Sequence, residues 1–250
     1  MHPSLSVVLP IYNEEDVAAS IAARIASFAE SHPHYEFLLV DDGSTDATPA
    51  VLSECLGQRT PPNVRFLAYA PNRGKGHAIL FGFRHARGRF LCFTDGDLAY
   101  PLADLDRIAT ELERSDVVIG SRAACRASRG DPNLCRRFLG IAYNRLVRLF
   151  LSLPYRDTQA GLKGFRREAG ERLFALVTAT GFSFDVEVLF VARKLGLPIH
   201  EIPVEPEKGH SYKTGKVKLV RDSAAMLAEL WRIRLRDWMG LYHEPSARTP

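Results

Sequence analysis

Apolar runs in the first half of this chain repeatedly break off into short polar clusters. SVVLPIY (6–12) runs into Asn13 and the acids Glu14, Glu15 and Asp16, and YEFLLV (35–40) ends at Asp41-Asp42-Gly43-Ser44. VRFLAY (64–69) leads to PNRGKG, RFLCFT (89–94) ends on TDGD, and DVVIGS (116–121) closes the series. Between them lie AASIAARIASFAE, a stretch capped by Thr45 or Asp46 and running to about Leu56, HAILFGFRHA, and LADLDRIATELER (102–114), all with helical character. Strands alternating with helices make a largely parallel sheet covered on both faces, an α/β fold. Ligands of such sheets bind beyond the carboxyl ends of the strands. DDGS, NRGKG and TDGD are therefore expected to converge on one edge.

The second half is less regular. Arg122, Arg126, Arg129, Arg136, Arg137, Arg145 and Arg148 face a single acid, Asp131, between 122 and 150. DTQAGLKGFRRE (157–168) follows, then GFSFDVEVLFVARKLG (181–196), whose second part reads as a helix. LPIHEIPVE (197–205) reads as a strand, EKGHSYKTGK (207–216) as a basic loop, and a long helix starts near Val217 and reaches Leu235 or beyond. This divides the chain into one domain over 1–212, an amphipathic helix over 213–242 and a disordered tail over 243–250.

A length of 250 residues with 46% hydrophobic and 25% charged composition suits one large globular domain. The net charge of +4 is too small to imply a nucleic-acid partner. Cys55, Cys92, Cys125 and Cys135 have no close metal spacing and read as reduced thiols of a cytosolic protein, Cys92 as a small core residue. No basic region precedes LSVVLPIY, so no signal peptide is expected. No apolar run approaches the roughly 18 residues that span a bilayer, so membrane contact should be peripheral.

FLCFTDGDLAYP poses the chemical question. Asp95 and Asp97 stand one residue apart where a buried strand ends. Asp-Gly is a turn dipeptide, and a turn alone accounts for the pair. Residues i and i+2 of an extended segment also point the same way, and a cation relieves the repulsion of two carboxylates so placed. All-oxygen ligands suit Mg²⁺ or Mn²⁺, completed by substrate phosphates.

Taken in order, VVLPIYNEE, LLVDDGSTDAT, NRGKGHAI and TDGD resemble glycosyltransferase family 2, the inverting GT-A enzymes. DTQAGLKGF and FSFDVEVLFVARKLGLPIHEIPV resemble its dolichyl-phosphate β-glucosyltransferases and, more broadly, its polyprenyl-phosphate hexosyltransferases, mannose synthases included. The resemblance implies a GT-A, Rossmann-like fold with a C-terminal amphipathic extension. It implies a nucleotide pocket begun by Pro10, Tyr12 and Glu14, with Asp42 recognising the base. Gly74 and Lys75 would meet the diphosphate, and Asp95 and Asp97, the DXD element, would hold Mg²⁺ or Mn²⁺ against it. Ala99 stands where mannose synthases often carry a third polar ligand. Arg122, with Arg136 or Arg137, resembles positions that grip an acceptor phosphate, and Lys213 corresponds to a basic loop of relatives.

Asp157 and Asp185 are the carboxylates placed by motif to orient sugar hydroxyls or a nucleophile; a turn for Asp157 and a helix cap for Asp185 are the structural alternatives. The implied reaction moves a hexose from UDP-glucose, or alternatively GDP-mannose, to a polyprenyl phosphate. Transfer to a soluble sugar or protein hydroxyl, and a non-catalytic sugar-nucleotide-binding protein, are the rival classes. Residues 133–151 and 213–242 join basic residues to large apolar ones such as Trp231, Trp238 and Tyr242. They are expected to lie on the cytoplasmic face of a membrane, or, for the C-terminal helix, in a homodimer interface.

Overall fold

The computed structural model describes residues 2–57, 60–124, 143–181, 183–207 and 219–243. Its sheet is built from β1 (Leu5–Ile11), β2 (Tyr35–Asp42), β3 (Val64–Tyr69), β4 (Phe90–Thr94), β5 (Val117–Ser121), β6 (Leu162–Arg166) and β7 (Ile199–Pro203). The order across the sheet is β3-β2-β1-β4-β6-β5-β7. All pairings are parallel except those of β6, which runs antiparallel to both β4 and β5. The expected α/β sheet is thus present, with one strand reversed. That strand, inside DTQAGLKGF, was not anticipated.

The helices are α1 (Glu15–Ser31), α2 (Thr48–Cys55), α3 (Lys75–His85), α4 (Asp104–Leu112), α5 (residues 143–150), α6 (Arg167–Phe174), α7 (Phe184–Lys194) and α8 (Leu219–Trp238). In α1 the buried residues Ala18, Ile21, Ala22, Ile25 and Ala29 recur at helical spacing, and Glu15 and Asp16 complement the positive end of the helix. Helix α2 begins at Thr48, later than expected. Asp46 still serves its start, because its carboxylate accepts the Thr48 N–H at 3.0 Å.

Successive strand residues point to opposite faces, which gives two cores. On one face Val7, Leu9, Phe37 and Cys92 pack with Ile21, Ile25, Leu105 and Ile108 of α1 and α4. On the other, Val8, Leu38, Phe93 and Phe165 pack with residues of α3, α6, α7 and α8. Cys92 is buried as expected, whereas Cys55 is exposed. Helix α7 is buried from Phe184 to Ala192, Asp185 and Glu187 included, so it runs through the second core.

Helix α8 docks on that core through Leu230 and Ile233. Tyr242, beyond its end, is also buried and donates its hydroxyl to Glu187 at 2.5 Å. It is a core residue, which corrects its placement at a membrane surface. Arg234 is drawn inward too, donating to the Phe150 carbonyl. Leu227, Trp231, Leu235 and Trp238 remain exposed on the outer face.

Phe165 lies on reversed strand β6 without exposed surface, in ring contact with Phe83, Phe93 and Phe174. Phe165→Ala should cost about 3–5 kcal/mol in urea unfolding, the range for emptying a buried aromatic site. A loss below about 1 kcal/mol would mean that β6 does not anchor this core.

Candidate active site

Strand order reverses between β1 and β4: the chain builds outward from β1 to β3, then returns to the other side of β1. The crevice beyond the carboxyl ends of β1 and β4 is where α/β sheets bind ligands. The loops that meet there are sewn together. The Asn13 N–H donates to Ser44 Oγ at 2.9 Å, and Asn13 Oδ1 accepts the Thr45 N–H at 2.9 Å. The Glu14 N–H donates to Thr48 Oγ1 at 2.8 Å. Tyr12, just past β1, is 37% exposed. At the other wall, a side chain at Gly96 would put its Cβ 2.1 Å from the Pro10 carbonyl oxygen. The end of β4 therefore lies directly against the end of β1.

Asp42 closes β2 and is buried. Its Oδ1 accepts the Tyr69 hydroxyl at 2.6 Å and the Arg73 N–H at 2.8 Å, and its Oδ2 accepts Asn72 Nδ2 at 2.9 Å. Burial, and then Asp42, hold the Tyr69 phenol well above its ordinary value. Asp42 thus ties DDGS to NRGKG. Gly74 has φ +93°, and its absent Cβ would lie 2.5 Å from the Thr180 carbonyl oxygen, so no other residue turns the chain into α3 here. The Gly76 N–H donates to that same oxygen at 2.8 Å.

Lys75 opens α3 and reaches Asp95 Oδ1 at 2.8 Å and Asp185 Oδ2 at 3.0 Å. Lys163, on β6 and fully buried, donates to Asp185 Oδ1 and to the Ala160 carbonyl, both at 2.6 Å. The four side chains form an alternating chain, Asp95–Lys75–Asp185–Lys163, with both ammonium groups 5.6 Å from the centre of the Phe93 ring. Burial alone would lower the Lys75 ammonium, but Asp185 and then Asp95 hold it above its ordinary value. Burial alone would raise Asp185, but Lys163 and Lys75 hold it below the usual carboxylate range. For Lys163 burial outweighs Asp185, and its value falls.

TDGD forms a turn. Leu98 has φ +53°, its N–H reaches the Asp95 carbonyl at 3.0 Å, and the Ala99 N–H donates to Asp97 Oδ1 at 3.2 Å. A Cβ at Gly161 would lie 1.9 Å from Asp95 Oδ2, so only glycine leaves the carboxylate its place. Among the described residues no cluster of three or more His, Cys, Asp or Glu could hold a metal. The pair Asp95 and Asp97 fits a hard divalent cation that takes its remaining ligands from substrate phosphate and water.

Arg122 and Asp157, assigned different ligands above, bind each other. Arg122 Nε donates to Oδ2 at 2.7 Å, its Nη2 to Oδ1 at 3.1 Å, and its main-chain N–H to Oδ2 at 3.1 Å. Burial alone would raise Asp157, but Arg122 holds it below its ordinary value. Asp185 is the second residue of α7 and not its cap. Arg136, Arg137 and Lys213 lie outside the described residues. Sequence reasoning missed Lys163, Gly161, Tyr69 and Asn72. A signal existed for Lys163: a lysine inside an apolar run is seldom buried unless paired.

A mostly parallel sheet thus brings acids, a glycine-lysine helix start and a strand-end carboxylate pair to its switch point. Residues 6–174 match the model of glycosyl transferase family 2, and the chain belongs to that family of glycosyltransferases. It is 30% identical over 251 residues to dolichyl-phosphate beta-glucosyltransferase of Dictyostelium discoideum, covering 95% of this chain and 76% of the relative. It is 31% identical over 259 residues to the Saccharomyces cerevisiae protein of the same name, covering 96% and 77%. Its fold matches the solved structure of glucosyl-3-phosphoglycerate synthase from Mycobacterium tuberculosis in complex with Mn²⁺, uridine diphosphate and glucosyl-3-phosphoglycerate. The TM-score is 0.64 at 19% identity, over 98% of this chain and 82% of that one.

A depressed carboxylate contributes stability that is complete above its unfolded value, near about 4, and is lost as pH falls through its folded value. Asp157 should therefore steepen the acid limb of the stability curve. Melting temperatures of Asp157→Asn between about pH 5 and 3 should fall less steeply than those of wild type. Parallel curves would contradict the ion pair.

Proposed function

We propose that this protein transfers glucose from UDP-glucose to a dolichyl or related polyprenyl phosphate, with inversion at the anomeric carbon. The observation that carries the reading is the meeting of Asp42, Lys75, Asp95 and Asp97 at one switch point. The names of its relatives support glucose and dolichyl phosphate. Asp42 accepts an N–H of the base, Tyr12 packs on the base or ribose, and Pro10 and Glu14 shape the wall beside them. Gly74 lets the backbone approach the diphosphate, and Lys75 supplies a cation to it.

Asp95 and Asp97 would hold Mg²⁺ or Mn²⁺, which when bound stabilises negative charge on the departing diphosphate. An acceptor phosphate is ionised near neutral pH, so the reaction needs no strong general base. A phosphate oxygen bonds to the anomeric carbon as the bond from that carbon to the β-phosphate oxygen breaks on the opposite face, releasing UDP. Arg122, just past β5 and 36% exposed, is held in place by Asp157 through Nε and Nη2, and its charge would serve the acceptor phosphate. In the same scheme Arg136, Arg137 and Lys213 complete the acceptor side. In this reading Asp157 acts by aiming Arg122, and Asp185 by aiming Lys75.

The protein would meet its lipid as a peripheral partner of the membrane's cytoplasmic face. Among the described residues no helix is long and apolar enough to cross a bilayer. The outer face of α8 offers Leu227, Trp231, Leu235 and Trp238, the last 68% exposed, and α5 adds Leu149 at 81%. Phe150 joins the two helices through a ring contact to Trp231 at 5.0 Å. Trp side chains at this level favour the headgroup region.

The deciding assay offers the pure protein UDP-glucose or GDP-mannose with Mn²⁺ and dolichyl phosphate, and weighs the lipid product. Glucosyl phospholipid from UDP-glucose is expected; product from GDP-mannose alone would overturn the donor assignment. Asp97→Ala should lower turnover at least about 100-fold, the loss of a few kcal/mol of charge stabilisation, and EDTA should silence wild type. Undiminished turnover in metal-free protein would contradict the metal site. Wild type should co-sediment with anionic liposomes at low salt, and Trp231→Ala/Trp238→Ala should release it; sedimentation indifferent to both would contradict the membrane face.

A further inference from the structure

Lys163 is the second residue of β6 and has no exposed surface. Burying an ammonium is costly unless it is paired and hydrogen-bonded, and an apolar residue of the same length commonly stabilises such a place as well or better. Packing alone therefore does not account for a lysine here, and its contacts point elsewhere. Its Nζ holds Asp185 Oδ1 and the Ala160 carbonyl, both at 2.6 Å, while Asp185 Oδ2 holds Lys75 Nζ at 3.0 Å. The two oxygens of one carboxylate are thus divided between a lysine fixed in the sheet and a lysine at the mouth of the site.

We propose that Lys163 is a positioning residue for the donor diphosphate: acting through Asp185, it sets where the Lys75 ammonium stands. The proposal rests on the donor reading above. Lys75 carries its charge on a flexible four-carbon stem. Its other carboxylate partner, Asp95, stands at 2.8 Å on the rim of the site and is one-third exposed. With Asp185 pinned by Lys163, one oxygen is always turned toward Lys75, and the ammonium stays beside the phosphate loop when a diphosphate competes with Asp95 for it. Without Lys163 the Asp185 carboxylate can rotate and follow Lys75, and the ammonium loses its fixed reference. Lys163 is too deep to touch the donor. Its effect must therefore depend on Lys75 and be confined to ligands that carry phosphate.

The test is equilibrium binding of UDP and of uridine, with Mn²⁺ present, to wild type, Lys163→Met, Lys75→Met and the double variant. Lys163→Met should weaken UDP about tenfold, within the range of coupling between contacting charged groups. It should leave uridine affinity unchanged and add nothing on top of Lys75→Met. UDP affinity equal to wild type, equal losses for UDP and uridine, or additive losses in the double variant would each overturn the proposal. If Lys163→Met does not give a cooperative thermal melt, Asp185→Asn carries the same comparison with the same expected phosphate-selective loss. Wild-type protein that binds neither UDP nor GDP would overturn the donor reading and this proposal with it, whereas an unchanged Lys163→Met overturns the proposal alone.

Discussion

Asp185 is a buried carboxylate between a fully buried ammonium, Lys163, and a partly exposed one, Lys75, and neither Asp185 nor Lys163 is tolerable in the core without its partner. Removing one partner of such a group leaves an uncompensated charge, which is far costlier than the pair was favourable. The constraint reaches four elements at once. Strand β6 must bring Lys163 to the middle of the sheet, α7 must present Asp185 within its first turn, and α3 must start at Lys75. Strand β4 must place Phe93 beneath both ammonium groups and Asp95 beside one of them. The reversed strand is what allows this arrangement. By running antiparallel between β4 and β5, it takes the chain back from the site edge and carries Lys163 alongside Phe93, its partner in the register.

The edge itself is shaped by close backbone approach more than by side-chain bulk. Gly96 lets β4 lie on the Pro10 carbonyl, Gly161 leaves room for the Asp95 carboxylate, and Gly74 turns against Thr180. Each lets chain segments approach more closely than a side chain would allow. The loop carrying Thr178 and Ala179 is in turn held by Glu187, which accepts the Thr178 N–H at 2.9 Å and the Ala179 N–H at 2.5 Å. Glu187 also takes the Tyr242 hydroxyl, so the segment after α8 is braced to the loop against which Gly74 and Gly76 pack.

Much of this was legible because parallel strands buried on both faces leave long apolar runs, and those runs end where polar chemistry begins. Strands β1 to β5 and the clusters at Asp42, Lys75 and Asp95 could be read in that way. Strand β6 could not: LKGFR is short and carries charges at its second and last positions, which hide it from any apolar template until its partner is known. The pairing of Arg122 with Asp157 spans 35 residues, and that of Lys75 with Asp185 spans 110, separations over which sequence pattern carries no distance. Tyr242 looked like an interfacial aromatic because an amphipathic ring suits either a headgroup layer or a buried acceptor, and only the position of Glu187 decides between them.

The donor site is the claim on which the rest stands, and a crystal structure of the protein with UDP and Mn²⁺ tests it most directly. The diphosphate should lie within hydrogen-bonding distance of Lys75, with the ion on Asp95 and Asp97 and the uracil ring against Asp42. Nucleotide bound away from the carboxyl ends of β1 and β4, or a diphosphate that leaves Lys75 untouched, would contradict it.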